Sequence, residues 1–175
     1  TTTSTTPIVI MAIRLAPSVD NGTTGLLGAK EIINRSQLQL TELGLYTTGT
    51  GYLINLILNG YASGAMSGSF VSPVQSASGI TSSFAQIALN TNAVNVTGGE
   101  SVAAAYTNAT SQTTLDLSQV RDLGNSILGG GGFTANSQVY PDGPDVLTIV
   151  ATNYTPATVP SVSLQARIGW TEAQA

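Results

Sequence analysis

The chain contains no histidine and no cysteine. Without histidine, neither a Ser-His-Asp nor a Cys-His arrangement can be built, and imidazole-ligated metals are excluded. Without cysteine there is no disulfide framework and no thiolate metal site. Ions are scarce as well. Five basic and nine acidic residues make up 8% of the 175 positions, where soluble domains average about 25%. So few charges cannot keep a chain apart, which excludes the self-repelling type of disorder. A domain exposed on all sides usually covers itself with about 25–35% charged side chains, so this surface is expected to lie against copies of itself or against a partner. The five cations, Arg14, Lys30, Arg35, Arg121 and Arg167, are scattered, and the net charge is −4. Neutralising phosphates takes clustered Lys and Arg, so neither nucleic acid nor an anionic membrane surface is an expected partner. No stretch reaches the ~20 apolar residues of a membrane-spanning helix.

What is present is 42% hydrophobic, with a polar remainder dominated by Thr, Ser, Asn, Gln and 19 glycines. The length suits one domain. The opening "TTTSTTP" reads as a polar linker or arm over residues 1–6, followed by a single domain over 7–175. The sequence opens on Thr1 without a leader pattern, so a processed, trimmed or excised chain is expected.

Strand signals dominate. In "SVSLQARIGW", Val162, Leu164, Ala166, Ile168 and Trp170 fall on one face and polar residues on the other, the period-two mark of a half-buried strand. "YLINLILN" places Tyr52, Ile54, Leu56 and Leu58 together. "PIVIMAIRLAP" is apolar on both faces until Arg14, so cover on both sides is expected. "DVLTIVAT" is short and β-branched, and reads as a central strand. Weaker strand signals lie in "SQLQL", "GLYTT", "SFVSPV", "SSFAQIALN" and "ESVAAAYTN". In "QLQLTELGLY" the apolar phase slips between Leu40 and Leu43, and a bulge around Thr41 to Gly44 would restore the facing of the side chains. In "DLSQVRDLGNSILGG", Leu117, Val120, Leu123 and Ile127 recur at helical spacing, with Asp116 or Ser118 as cap and Gly129 as stop. "GAKEIINR" suits a helical turn or a strand. With turn clusters between short strands, the expected fold is all-β: an antiparallel β-sandwich, jelly-roll-like, with one short helix.

The motifs for chemistry are thin. A phosphate loop needs glycines leading into a helix and a nearby Lys. Here the "GGGG" run follows the expected helix, and the only lysine, Lys30, is distant; "GLLGAKE" lacks the full spacing. In "PDGPD", Asp142 and Asp145 are weak calcium candidates. Calcium takes six to eight oxygens, so a plain turn fixed by Pro141, Gly143 and Pro144 is the stronger reading. Glu31, Glu42, Glu100, Asp116 and Asp122 could supply a glycosidase pair, but no spacing singles one out. No enzyme, cofactor or resident metal is expected. Aromatic rings are expected in the core or between subunits, and an exposed Tyr could also stack on a sugar, which makes a glycan a second class of partner. Ile8, Val9, Ile10 and Met11, on a strand able to join a neighbour's sheet edge, and Trp170 are the interface candidates.

Several phrases taken together, "AIRLAPSVDNGTTGLLGAKEIINRSQLQL", "LILNG", "DLSQVRDLGNSILGG", "PDGPDVLTIVAT" and "ARIGWTEAQA", resemble the C-terminal domain of structural proteins from marine tailed cyanophages and related marine phages. The similarity runs through most of the chain in order, apart from residues 61–95. The resemblance implies a particle-building role, with no active-site motif to transfer. The expected function is a non-enzymatic virion protein, extracellular or on the particle, whose partners are itself and other virion proteins. It would serve as head decoration or as a fibre, whisker or tail appendage. The alternatives are an adhesin or carbohydrate-binding module at a fibre tip, and a self-polymerising extracellular filament subunit with a donated N-terminal strand.

Overall fold

The computed structural model describes residues 7–15, 18–20, 32–33, 37–62, 70, 85–89, 96–120, 133–134, 137–138, 145–154 and 163–173. The strands in chain order are β1 (Ile8–Leu15), β2 (Ser18–Asp20), β3 (Ile32–Ile33), β4 (Gln37–Thr48), β5 (Tyr52–Leu58), β6 (Tyr61–Ala62) and β7 (Ala85–Leu89). They continue with β8 (Val96–Thr97), β9 (Glu100–Tyr106), β10 (Ser111–Asp116), β11 (Phe133–Thr134), β12 (Ser137–Gln138), β13 (Val146–Asn153) and β14 (Ser163–Ala173). The long strands form two antiparallel sheets, one of five strands in the order β7-β1-β13-β5-β9 and one of three in the order β10-β4-β14. Three short two-stranded pairs, β2-β3, β6-β8 and β11-β12, accompany them. The all-β sandwich is as expected. Its five-plus-three partition differs from two four-stranded sheets, and the strand order lends no support to the jelly-roll form.

Period-two alternation builds the shared core. From the three-stranded sheet, Leu38, Leu40, Leu43, Leu45 and Ile168 point inward and are buried, with Leu164, Ala166 and Trp170 packed against them. From the five-stranded sheet come Met11, Ile13, Leu15, Tyr52, Ile54, Leu56, Leu147 and Ile149. Each fully buried Leu or Ile contributes about 1.5–3 kcal/mol by leaving water. The phase slip in β4 is resolved by a bulge. Glu42 pairs with Gly169 and Leu40 with Trp170, so Thr41 has no partner on β14 and the leucines on both sides of it still face the core.

β1 is covered on both faces. Met11, Ile13 and Leu15 enter the main core, while Val9 and Ala12 join Ala88 and Val150 in a second buried cluster on the outer side of the same sheet. Ile57, Phe70, Val96 and Val146 pack against that cluster. The change of face follows from a register shift between Val9 and Met11. Arg14, at the end of the apolar run, lies with its guanidinium 4.1 Å from the centre of the Phe70 ring and donates Nε to Gln86 Oε1 at 2.9 Å. Burial lowers its pKa from the ordinary guanidinium value.

Two expectations need correction. β1 is not available to a neighbour's sheet edge: Ile8–Arg14 pair with β13 on one side and Met11–Leu15 with β7 on the other, all within the chain. Val9 and Met11 are buried in their own subunit, Ile10 packs half-buried against the main core and Ile8 is half-buried, so this strand serves the fold instead of an interface. The second correction concerns the helix. Leu117–Gln119 form a 3-10 turn capped by Asp116, whose carboxylate accepts from Ser118 N at 3.0 Å, and Val120 already leaves with extended backbone. Residues 121–129 of the expected helix, like "SFVSPV" beyond Phe70 and the "GGGG" run up to Gly132, lie outside the described residues.

Candidate functional site

Cross-strand register organises the outer face of the three-stranded sheet. β4 is its middle strand, so each outward residue of β4 has a direct partner on both sides. Tyr46 stands between Gln112 and Gln165; Gly44 between Thr114 and Arg167; Glu42 between Asp116 and Gly169. Directly opposed side chains in such pairs have Cβ atoms about 4.5–5.5 Å apart. The three rows therefore form one continuous polar patch.

Gly44 leaves the middle of the patch low. Arg167 lies over it, and a Cβ added at Gly44 would sit in ordinary contact with the guanidinium, 3.6 Å from Nε. The result is an open depression of about 330 Å³, floored by Gly44 and walled by Tyr46, Gln112, Gln165 and Arg167. Tyr46, on the outer face of a strand whose inner leucines are buried, is 45% exposed. Arg167 Nη2 holds Glu42 Oε1 at 2.6 Å, so the two charges nearest the depression cancel. The depression offers one aromatic ring, two amides that each donate and accept, and a guanidinium.

Of the acids considered for catalysis, the sheet brings Glu42 and Asp116 together as cross-strand neighbours. Both are engaged. Glu42 holds Arg167, and the Asp116 carboxylate caps the 3-10 turn through Ser118 N and Oγ. Glu100 lies on β9, in the other sheet. Glu31, Asp122 and Lys30 are outside the described residues.

The calcium candidates separate in the same way. Asp145 Oδ1 accepts from Asn59 Nδ2 at 2.8 Å; Asn59 Oδ1 accepts from Val146 N and Asn59 N donates to Val146 O. This clasp, made by a residue with φ of 55°, ties the end of β5 to the start of β13. Asp145 has a structural task, and Asp142 lies outside the described residues. Among the described residues no group of three or more Asp or Glu is gathered for a metal. Trp170 faces inward and packs against the core. Its Nε1 donates to Glu172 Oε1 at 3.0 Å, and the same oxygen accepts from Ala85 N, fastening β14 to β7.

A second aromatic feature lies at one end of the sandwich. The rings of Tyr106 and Tyr154 meet edge to face with centroids 5.4 Å apart, 69% and 44% exposed. Tyr154 Oη donates to Thr107 O at 2.8 Å, and its ring lies over Gly51, where any Cβ would strike it. Thr107 in turn is hydrogen-bonded to the Tyr52 backbone through both its amide and its hydroxyl.

Sequence reasoning treated the aromatic rings as a group and did not single out Tyr46. What it lacked was β10, whose polar "SQTTLD" has few of the apolar residues that mark a strand, so the partner Gln112 was not foreseen. The chain matches no family model, no curated protein and no solved structure.

Proposed function

We propose that this chain is a non-enzymatic assembly domain of a phage particle, packing against copies of itself and other virion proteins as a decoration or appendage. The observation that supports the reading best is the outer strand β9. Among the described strands it pairs only with β5, and it exposes Ala104 and Tyr106 beside Tyr154. Edge strands normally deter added partners with Lys, Pro or inward-pointing charge. β9 has one terminal acid, Glu100, and otherwise reads "SVAAAY".

The use of charge agrees with this. Arg14 is held by Phe70 and Gln86, Arg167 by Glu42, and Glu172 by Trp170 and Ala85, while Asp116 and Asp145 bind local donors. These described ions are engaged in contacts within their own chain. The phage resemblance supplies the kind of assembly, and the alternative of a donated N-terminal strand is disfavoured because β1 is already paired on both sides.

Light scattering coupled to size-exclusion chromatography tests the reading. A defined oligomer or ordered particles are expected, with Tyr106→Glu shifting the chain towards monomer. A wild-type chain that stays monomeric at high concentration would overturn it.

A further inference from the structure

We propose that the depression on the outer face of β10-β4-β14 is a binding site for an uncharged saccharide, with Tyr46 as the stacking ring and Gln112, Gln165 and Arg167 as its hydrogen-bonding rim. The inference goes beyond assembly and is independent of it, since the depression and β9 belong to different sheets.

The ligand class follows from the groups present. A sugar offers a C–H face that packs on an aromatic ring, and hydroxyls that both donate and accept. Among the described residues Tyr46 is the one exposed large hydrophobic residue on this face, and the register fixes a glutamine directly on each side of it. An amide can donate and accept at once, as hydroxyl recognition requires, whereas carboxylates only accept and ammonium groups only donate. Charge decides against an anion. The guanidinium at the rim is paired with Glu42 at 2.6 Å, so the pair adds no net positive charge to draw an anion, while the remaining N–H donors of Arg167 stay open to hydroxyls. Size agrees too: about 330 Å³ is at the small end of ligand sites, the scale of one or two sugar rings. Gly44 is the residue that keeps the floor open.

The test uses the full chain, biotinylated and displayed as a streptavidin tetramer on an array of neutral, sialylated and sulfated glycans. Calorimetry with the strongest neutral hit follows in solution, where avidity does not enter. Neutral glycans should bind. Tyr46→Ala should weaken solution affinity by about tenfold or more, the equivalent of ~1.4 kcal/mol. Tyr46→Phe should retain binding, and Gly44→Val should abolish it by filling the floor while leaving the far-ultraviolet spectrum and melting curve near wild type. Tyr106→Glu, which addresses assembly, should leave solution affinity unchanged, so the two readings fail separately. The proposal is overturned by silence across the neutral glycans, by binding confined to acidic ones, or by neutral binding that survives both Tyr46→Ala and Gly44→Val.

Discussion

The two sheets use the same ion-poor alphabet in opposite ways. The five-stranded sheet is buried on both faces at its centre: β1 and β13 place Ile13, Leu147 and Ile149 in the main core and Val9, Ala12 and Val150 in the outer cluster. The three-stranded sheet is buried on one face only, with leucines inside and Gln, Thr, Tyr and one ion pair outside. A strand covered on both sides is a structural member whose every position is constrained. A strand covered on one side has half its residues available for recognition, and the concave patch is found on such strands. Among the described residues the scarcity of charge thus has two settings: burial on both faces of one sheet, and on the other an exposed face of Gln, Thr and Tyr that carries one ion pair and Asp116.

That contrast can be broken experimentally, and the sharpest attempt is a matched pair. Val150→Glu places an unpaired carboxylate in the outer cluster and should cost at least ~3 kcal/mol or prevent folding. Gln165→Glu, the same side chain on the outer face of the other sheet, should stay within about 0.5 kcal/mol of wild type. Urea denaturation measures both, and equal costs would dissolve the distinction. Next, Ile149→Ala and Leu43→Ala, each fully buried and on opposite walls of the shared core, should each cost about 2–5 kcal/mol by the same assay. A much smaller loss on the three-stranded side would mean that its inner face is not packed as described.

Gly51→Ala probes the end of the sandwich. Its Cβ would meet Tyr154 and sit 2.7 Å from Thr107 O, so a loss of about 1–3 kcal/mol is expected, with increased exposure of Tyr154 seen in its fluorescence or near-ultraviolet circular dichroism. A smaller effect comes from Tyr52, whose pKa burial raises above the ordinary tyrosine value. The folded phenol keeps its proton to higher pH than the unfolded one. Its contribution is therefore fully present below the unfolded value of about 10 and is lost as pH rises through the folded value. Alkaline melting curves should show a decline that Tyr52→Phe reduces. Smallest of all, Arg167→Ala removes an exposed ion pair and should change stability by less than ~1 kcal/mol.

How much of this was legible follows from the same comparison. One-sided strands announce themselves: β14 alternates cleanly, so the facing of Leu164 and Ile168 was evident from spacing alone, as was that of Ile54 and Leu56 on β5 despite Leu53 and Ile57 on its other face. The bulge at Thr41 was legible because a slipped phase has few physical remedies. Two-sided cover of β1 was readable from its unbroken apolar run, but its position was not. An apolar strand looks the same whether it waits for a neighbour's edge or fills the middle of its own sheet, and only the pairing with β7 and β13 decides between them. β10 was missed because Thr113 and Leu115 are its only inward hydrocarbon-bearing positions between polar neighbours, and "DLSQV" beyond it mimics helical spacing. The recognition patch was hidden for a related reason. Its residues come from three strands far apart in sequence, and a glycine matters there for what it omits.

The pairing of Ile8 with Ala151 has a consequence for biosynthesis. β1 needs a strand more than a hundred residues further along the chain to complete its ladder, so contacts of high sequence separation must close before the five-stranded sheet exists. At ordinary elongation rates the stretch between the two takes on the order of ten seconds to synthesise, and until then β1 lacks the partner on one of its two edges. A chain cut before β13 would leave the β13-side edge of β1 without its ladder while the β7 side could still pair.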